Sequence, residues 1–416
     1  MKVYLVGGAV RDALLGWPVH ERDWLVIGAT PEEMLAKGFK PVGKDFPVFL
    51  HPDSGEEYAL ARTERKTAPG YRGFSFHADP SVTLEQDLQR RDLTINTLVQ
   101  DENGDQLDLC NGLHDLDQKI LRHVSPAFAE DPVRILRVAR FAARYHHLGF
   151  RIAEETLQLM RNMVQAGEVN ALVAERVWQE CERSLGEKDP QVFFQVLRSC
   201  GALAIIFPEI DALFGVPQPP QHHPEIDTGI HTLMVLQQCA LLTRDTKARF
   251  AALCHDLGKA LTPAALLPRH LGHEQKSEKP VLDLCNRLGV PHEFRDLAVR
   301  VAVYHTYCHR ALELRASTLV DLFHDLDLFR RPQRLDPFLM ACEADARGRT
   351  GFENCTYKPT AFLQQAWLLC SAVDSNTIDN QRFTGKAFGD ELRRLRIAAL
   401  QAIAQPHVKH SDIHSP

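Results

Sequence analysis

Apolar periodicity changes once along this chain of 416 residues, near residue 85, and this change limits the fold more than any other feature. Before it, short apolar runs typical of strands occur at residues 2–6, 24–27, 48–50 and 58–61. A helix is predicted to start at Pro31, because Thr30 and Glu33 can form a capping box there. After it, apolar residues recur at helical spacing almost to the C-terminus. The pattern predicts an α+β protein with its strands near the N-terminus.

The length predicts several domains, since 47.0 kDa is more than one hydrophobic core usually serves. Residues 215–224 contain four prolines and are the best candidate for a linker. Residues 62–80 combine charge, glycine and proline, which is typical of a mobile loop. The tail at 405–416 is expected to be disordered.

Composition and charge limit the location of the protein and the partners that it can have. No apolar run is long enough to cross a bilayer, and the N-terminus lacks the length and cleavage site of a secretory signal, so we expect a cytoplasmic location without a membrane partner. The ten cysteines are scattered singly and are expected to be reduced. A net charge of −6 argues against a nucleic-acid partner, but local clusters of arginine can still form a basic groove.

The first candidate site joins a Gly-Gly turn to two carboxylates. Gly7 and Gly8 separate a predicted strand from a short helix, and such a turn lets backbone N–H groups approach a phosphate. Arg11 lies one turn into that helix and can pair with a triphosphate. Glu21 and Asp23 are two residues apart, so on a strand both side chains face one side and can hold Mg²⁺. An isolated E-x-D pair would be an ordinary surface feature, whereas its place beside the turn favours a nucleotide site.

The segment RRDLTIN at 90–96 is a second candidate. Arg90 and Arg91 can take phosphate oxygens, and Asp92 or Asn96 can bond a ribose hydroxyl. From spacing alone, a solvated helix end with an internal salt bridge is the better interpretation.

The segment EDPVRILRVARF at 130–141 is a third. Asp131 lies near the predicted N-cap of a helix, and arginines follow at 134, 137 and 140. Asp131 and Arg134 offer an acceptor and donors side by side, which suits the edge of a base. Charge on such a helix usually faces solvent. Here the intervening residues are apolar, so we expect a half-buried helix whose unpaired arginines need anionic partners.

Histidines mark the fourth candidate. His255 and Asp256 are adjacent in HDLGK, on a predicted helix, and His231, His270, His273 and His305 lie in the same helical block. A lone HD dipeptide usually means a satisfied core histidine. With histidines from other helices it favours a transition-metal site with open positions.

Together these motifs resemble the class II tRNA nucleotidyltransferases, the CCA-adding enzymes. LVGGAVRDALLG with E-R-D resembles the first motif of that family, RRDLTINTL its second, and EDPVRILRVARF its base-recognition motif. HDLGK and CEADARGR at 342–349 resemble the longer bacterial form, which carries an HD domain. The resemblance covers nearly the whole chain.

The resemblance implies a fold of four parts. These are a nucleotidyltransferase head with a small mixed or antiparallel sheet at 1–140, an all-α neck and body at 141–224, an all-α HD domain at 228–330, and a C-terminal helical region with its tail at 331–416.

The resemblance also implies the chemistry. Glu21 and Asp23 would be catalytic and hold Mg²⁺, and Asp131 with Arg134 would select cytosine or adenine. The implied nucleotide site for CTP and ATP consists of Gly8, Arg11, Arg91, Asp131, Arg134, Arg137 and Arg140. The implied HD site, with phosphatase, 2′,3′-cyclic phosphodiesterase and 2′-nucleotidase activity and Ni²⁺ or another transition metal, consists of His231, His255, Asp256 and His305. The implied partner is tRNA, bound by its 3′ end and acceptor arm to a monomer or homodimer.

The chain departs from the family pattern at two positions. Glu21 stands where the family usually has Asp, and its longer side chain keeps the ligand while shifting its reach. Thr306 follows His305 where an Asp is expected, which leaves open the phosphohydrolase activity or its metal preference.

Three other functions share parts of this pattern. A poly(A)-adding relative, or one that adds only CC or only A, would carry the same motifs, although the HD block favours the full CCA enzyme. An HD phosphohydrolase with a nucleotide-binding head would not need both carboxylates at 21 and 23. A non-catalytic RNA-binding protein would not need E-x-D beside a Gly-Gly turn.

Overall fold

The computed structural model describes residues 1–19, 21–42, 48–66, 74–77, 79–379 and 381–404. It divides into two compact units, Met1–Ile206 and Phe207–Pro416. Among the described residues, none of the helices is long and apolar enough to cross a membrane.

The first unit is built on a mixed sheet in which the strands follow the order β3–β4–β5–β2–β1–β8–β9. The central pair β2 and β5 is parallel, and the other neighbours are antiparallel. Two small pairs, β6–β7 and β10–β11, lie outside it. The strands are β1 (Lys2–Val6), β2 (Asp23–Ile27), β3 (Lys40–Val42), β4 (Val48–Leu50), β5 (Glu57–Leu60), β6 (Thr63–Lys66), β7 (Phe74–His77), β8 (Val99–Gln100), β9 (Gln106–Leu107), β10 (Ile120–Leu121) and β11 (Arg151–Ile152).

Side chains alternate across the sheet and fill two apolar layers, as the pleat of a strand requires. Leu25 packs with Val6 and Leu88 on one face. Val26, the next residue, packs with Met34 on the other. The helices of this unit are α1 (Gly8–Leu14), α2 (Pro31–Ala36), α3 (Leu84–Gln89), α4 (Gly112–Asp117), α5 (Val133–Tyr145), α6 (Glu154–Gln165), α7 (Ala174–Leu185), α8 (Gln191–Ser199) and α9 (Leu203–Ile206).

The described part of the second unit is helical. Helix α12 packs against α11, α14 and α16, and α13 packs against α14. The helices are α10 (Pro208–Asp211), α11 (Thr228–Leu242), α12 (Thr246–Cys254), α13 (His273–Leu288), α14 (His292–His309), α15 (Ala316–Asp325), α16 (Leu335–Arg347), α17 (Lys358–Ser371) and α18 (Lys386–Leu400).

The predicted α+β class is confirmed, including its mixed sheet, and the capping box of Thr30 and Glu33 is present at the start of α2. The prediction of a loop throughout 62–80 was wrong, because residues 63–66 and 74–77 pair as antiparallel strands. The short strands after residue 85 were also missed, since segments of two residues leave no periodicity to detect. The tail at 405–416 lies outside the described residues.

Two candidate functional sites

A cavity of about 710 Å³ in the first unit is lined by residues of the central strands β1, β2 and β5 and of helix α5. Ten arginines and five carboxylates are among its described lining residues. Such an excess of positive charge attracts a polyanion. All nine residues predicted for the transferase site line this cavity.

Glu21 and Asp23 lie together in the cavity wall. Asp23 begins β2, whereas Glu21 lies two residues before it and outside the strand, so the expected strand covers only part of the pair. Desolvation and the neighbouring Glu21 carboxylate raise the pKa of Asp23, and Arg91 opposes that effect. Two carboxylates that repel each other in this way fit a divalent cation.

The Gly-Gly turn brings backbone close to arginine. Gly7 has a φ of +71°, and a Cβ atom there would lie 3.2 Å from Arg91 Nη1. A side chain at this position would therefore strain the backbone and crowd the cavity. Arg11 is buried below the turn, where its guanidinium bonds Asp12 and Asn96 and lies over Phe141.

Asp92 is buried, so the interpretation of RRDLTIN as a solvated helix end was wrong, whereas the internal salt bridges that it included are present. It is 6% exposed, and it accepts hydrogen bonds from Arg137 Nε at 2.7 Å and Asn96 Nδ2 at 2.9 Å. Burial would raise the pKa of Asp92, but Arg137 and these hydrogen bonds hold it well below its usual range. The hydrogen bond from Arg137 to the Asp92 carboxylate thus fixes α5 to the second motif.

The arginines of α5 are paired inside the protein, which corrects the expectation that they are unpaired. Arg137 binds Asp92, and Arg140 Nε donates to Glu180 Oε2 at 2.6 Å. Glu180 comes from α7, and the sequence offered no signal for this long-range partner. The pairing orients the arginines along the cavity and leaves other N–H donors on each guanidinium.

Hydrogen bonds fix the orientation of Asp131 and Arg134, the two residues predicted to recognise the base. Arg176 donates to both oxygens of Asp131, at 3.2 and 2.8 Å. Arg134 Nη1 donates to the Ala127 carbonyl at 2.7 Å. Both Asp131 and Arg134 line the cavity.

The second site lies where helices of the second unit meet. His231 comes from α11, His305 from α14, and His273 begins α13. His255 and Asp256 lie just beyond the end of α12 and not within a helix, so that detail of the prediction was wrong. The structure brings together all four predicted residues of the HD site.

The cluster contains a carboxylate that the sequence analysis did not select. Asp345 Oδ1 lies 3.1 Å from His231 Nε2 and 3.6 Å from His255 Nε2, and Asp345 Oδ2 lies 2.7 Å from His309 Nε2. The segment CEADARGR, which the sequence analysis matched to the longer bacterial form, contains this residue and was the available signal. His270 stays outside, because both its ring nitrogens bond other groups, Thr262 and the Pro217 carbonyl.

Burial and neighbouring charged groups together set the charges in this cluster. His231, His255, Asp256 and His305 are each at most 3% exposed. Burial lowers the pKa of His305 to about 3, so that its ring is neutral. Burial also lowers that of His231, but bonds to Asp345 and Glu225 outweigh it and raise the pKa to about 9. Burial would raise the pKa of Asp256 and Asp345, but neighbouring histidines, with Lys259 beside Asp256, hold both pKa values well below the usual range.

Comparison with known families matches three parts of the chain. Residues 3–122 match the poly A polymerase head domain, and residues 149–214 match a probable RNA and SrmB-binding site of polymerase A. Residues 228–331 match the HD domain.

Similar proteins extend over nearly the full length. A multifunctional CCA protein of Thioalkalivibrio sulfidiphilus is 63% identical and covers 97% of this chain and 98% of its own. That of Methylococcus capsulatus is 62% identical over 97% of this chain and 95% of its own. Among solved structures, a Thermotoga maritima CCA-adding enzyme complexed with tRNA has a TM-score of 0.62 at 20% identity, covering 98% of this chain and 88% of its own. A Bacillus stearothermophilus CCA-adding enzyme in complex with CTP has a TM-score of 0.64 at 20% identity, covering 96% and 89%.

Proposed function

Because this chain belongs to the family of multifunctional CCA proteins, we propose that it adds and repairs the 3′-terminal CCA of tRNA, using CTP and ATP and releasing pyrophosphate. The observation that carries the proposal is the cavity of the first unit, where two carboxylates lie among ten arginines. A nucleoside triphosphate with a divalent cation has the complementary charge.

Within this cavity, Glu21 and Asp23 are the proposed catalytic residues. Their mutual repulsion supports a divalent cation between them. Mg²⁺ held there would lower the pKa of the attacking hydroxyl and neutralise charge on the leaving group. The proposed nucleotide-binding residues are Gly8, Arg11, Arg91, Asp131, Arg134, Arg137 and Arg140.

The residues of the chain supply position and charge. The 3′-hydroxyl oxygen of the tRNA forms a bond to the α-phosphorus of the nucleotide while the bond to the bridging oxygen breaks. Pyrophosphate leaves with that electron pair, and the hydroxyl proton passes to solvent. Arginines anchored by Asp92 and Glu180 hold the triphosphate in line, so that little reorganisation is needed during transfer.

Base choice falls to Asp131 and Arg134. Asp131 accepts three hydrogen bonds from described groups, two from Arg176 and one from the Val133 amide. A carboxylate has about four lone-pair sites, which leaves one for the amino group that cytosine and adenine share. Arg176 thereby acts as a positioning residue that aims this remaining site.

We propose that the second unit is a metal-dependent phosphohydrolase that acts on phosphomonoesters and 2′,3′-cyclic phosphates. Among the residues that the structure describes, none forms a hydrogen bond with the buried atoms His255 Nε2 and Asp256 Oδ1, which supports a metal ligand role for both. His231, His305 and Asp345 complete the proposed ligand set, and imidazole ligands suit Ni²⁺ or another transition metal. Asp345 thus supplies the carboxylate that was expected at position 306.

Other expectations from the sequence complete the proposal. The 3′ end and acceptor arm of tRNA bind a cytoplasmic enzyme that is a monomer or a homodimer. The proposed domain limits are 1–140, 141–224, 228–330 and 331–416.

The direct test is extension of tRNA that lacks its 3′ end, with Mg²⁺ and labelled CTP, ATP or both. We expect CTP alone to add two nucleotides and both together to complete CCA and stop. A long run of A would identify a poly(A)-adding enzyme, and addition limited to CC or to A would identify a partial relative. No addition at all would overturn the transferase function.

A further inference from the structure

Helix α5 carries a fourth arginine to the cavity of the first unit, beyond the segment that resembles the family motif. Arg144 follows Arg140 by four residues, so it lies about 6 Å further along the same side of the helix. Its side chain lines the cavity and is 28% exposed. Arg144 is therefore accessible to a ligand in the cavity, although the proposed nucleotide site ends at Arg140.

A carboxylate behind the cavity holds Arg144. Asp12 of α1 accepts hydrogen bonds from Arg144 Nη2 at 3.3 Å and from Arg11 Nε at 2.8 Å. Both arginines line the cavity, whereas Asp12 is not among the described residues that line it. The three groups together keep one positive charge, which faces the cavity through Arg11 and Arg144.

Two aromatic rings restrict this arrangement. Tyr145 is fully buried, and burial raises the pKa of its hydroxyl, which donates to Asp12 Oδ1 at 3.3 Å. At the end of α1, Gly16 has a φ of +72°, and the Trp17 amide donates to the Asp12 carbonyl at 2.8 Å. This turn places the Trp17 ring 5.3 Å from Arg144 Cζ, close enough for a cation–π contact. Arg144 is thus fixed before a ligand binds, which lowers the entropy that binding costs.

The hydrogen-bond capacity of Arg144 is largely unused within the described part of the protein. A guanidinium has five N–H donors. Among the described residues, the single hydrogen-bond partner of Arg144 is Asp12, and its distance of 3.3 Å is long for a charged pair, which usually lies at about 2.7–2.9 Å. Arg140 differs, since its Nε lies 2.6 Å from Glu180 Oε2. An arginine that is oriented but not saturated, in a cavity lined by other arginines, suits a phosphate group with its several acceptor oxygens.

We propose that Arg144 binds a phosphate group of a transferase substrate and that Asp12 is the residue that positions it. The proposal rests on the transferase function proposed above and extends the binding site along α5 by one turn. Two substrates carry this chemistry, the nucleotide with its triphosphate and the tRNA with the backbone phosphates near its 3′ end. The contact is non-covalent, so Arg144 contributes affinity for that substrate.

The test is steady-state kinetics of the full-length protein with each substrate varied in turn, together with calorimetric binding of CTP and of tRNA, each alone. Arg144→Ala should raise the KM of one substrate by about tenfold or more and change kcat little, because it removes charge-assisted hydrogen bonds to that substrate. If the nucleotide phosphate is the ligand, KM for CTP and ATP rises and CTP binds more weakly. If the tRNA phosphate is the ligand, KM for tRNA rises. The slope of its logarithm against the logarithm of salt concentration then falls by about 0.7, as expected when one phosphate contact on a single strand is lost.

Two further variants test the position of the guanidinium. Asp12→Asn should raise the same KM by about threefold, since a partly exposed ion pair contributes less than the phosphate contact. Because Asp12 acts through Arg144, the double variant with Arg144→Ala should raise KM by less than the product of the two single effects. Arg144→Lys keeps the charge but not the planar fork, so its KM should fall between those of the parent and Arg144→Ala. Both variants preserve the test if Arg144→Ala does not fold.

Arg161→Ala is the matched control, because Arg161 is a partly exposed arginine paired with the Glu154 carboxylate and is not among the described residues that line the cavity. It should leave KM unchanged for every substrate, and circular dichroism verifies the fold of each variant. Unchanged KM for every substrate in Arg144→Ala, a loss confined to kcat, or equal changes in Arg161→Ala would overturn the proposal. Weaker binding of CTP or tRNA to Arg144→Ala, in a protein that adds no nucleotide, would overturn the transferase function and leave this contact standing.

Discussion

The two sites differ in the charged groups that line them: mainly arginines in the first unit, and histidines with carboxylates in the second. The cavity of the first unit is lined by ten described arginines, several of them paired with carboxylates or carbonyls, and Glu21 and Asp23 are its proposed cation ligands. The cluster of the second unit offers five buried ligand groups, and backbone carbonyls fix the orientation of the three histidines among them. A substrate with three phosphates brings its own metal ligands, so the first site needs few. An ion proposed for the second site would have to be held by protein groups alone between turnovers, so that site needs a complete set of ligands.

The largest effect is expected from Asp23→Ala. It removes one of the two protein ligands of Mg²⁺, so nucleotide addition should fall by about a thousandfold or more, equivalent to about 4 kcal/mol of barrier. The melting temperature should stay unchanged, because Asp23 lies at the cavity wall and not in the apolar core. The measurement is the initial rate with tRNA lacking its 3′ end.

Asp53→Ala is the control for that change, since Asp53 is an exposed carboxylate elsewhere in the same unit. Glu21→Asp should keep most of the activity. Full activity of Asp23→Ala would sink the metal assignment.

The reciprocal change is His255→Ala in the second unit. Hydrolysis of 2′,3′-cyclic phosphates should be lost, because a buried ligand between both carboxylates is gone. CCA addition should continue at the rate of the parent protein. The two assays are run on the same preparation, and loss of both activities would refute the separation into two independent sites.

Asp131→Ala should have an effect smaller than those of the two changes above, and it should appear mainly in the choice of base. Uracil and guanine present a carbonyl where cytosine and adenine present an amine, and a mismatched contact of this kind costs on the order of 1–3 kcal/mol. Removal of the carboxylate should therefore raise relative incorporation of UTP and GTP about tenfold to a hundredfold while lowering the overall rate. Incorporation of all four nucleotides is compared.

Arg140→Ala is the matched comparison. Arg140 is paired with Glu180, and its loss should slow all nucleotides with little change in choice. If Asp131→Ala still rejects UTP and GTP as the parent does, then α5 merely binds phosphate.

Local signals allowed much of the fold to be predicted. The strand before Gly7 and the capping box of Thr30 depend on neighbours in sequence, and both are present. The residues of the candidate cavity were also predicted, because the motifs that contain them resemble those of a known family. What failed was the pairing of charges: Arg140 meets Glu180 from α7, and no pattern along the chain specifies which helices pack together.

The same limit explains the second site. HDLGK located His255 and Asp256, but Asp345 reaches them only through packing of α16 on α12. The family pattern instead pointed to position 306. Only the tertiary contacts distinguish an acidic residue that is an ordinary part of a helix from one that completes a metal site.

The smallest effect is expected from a change at Thr306, the position where the family pattern has an acidic residue. Thr306 follows His305 on α14 and lines the cavity beside the cluster. In a helix, the next residue is rotated by about 100°, so an acidic residue there would not repeat the direction of His305. Asp345 already places a carboxylate oxygen 3.1 Å from His231 Nε2 and 3.6 Å from His255 Nε2. Thr306→Asp should therefore leave metal content unchanged and alter hydrolysis less than about tenfold, or about 1.4 kcal/mol.

Asp345→Ala, by contrast, should weaken metal binding by at least about a hundredfold, since loss of even an outer partner of a ligand can cost that much. Metal affinity measured by calorimetry compares the two, with Thr306→Ser as the control for a change of size at position 306. If Thr306→Asp bound metal much more tightly while Asp345→Ala bound it normally, position 306 would be the true ligand position. The carboxylate of α16 would then serve only to orient His309.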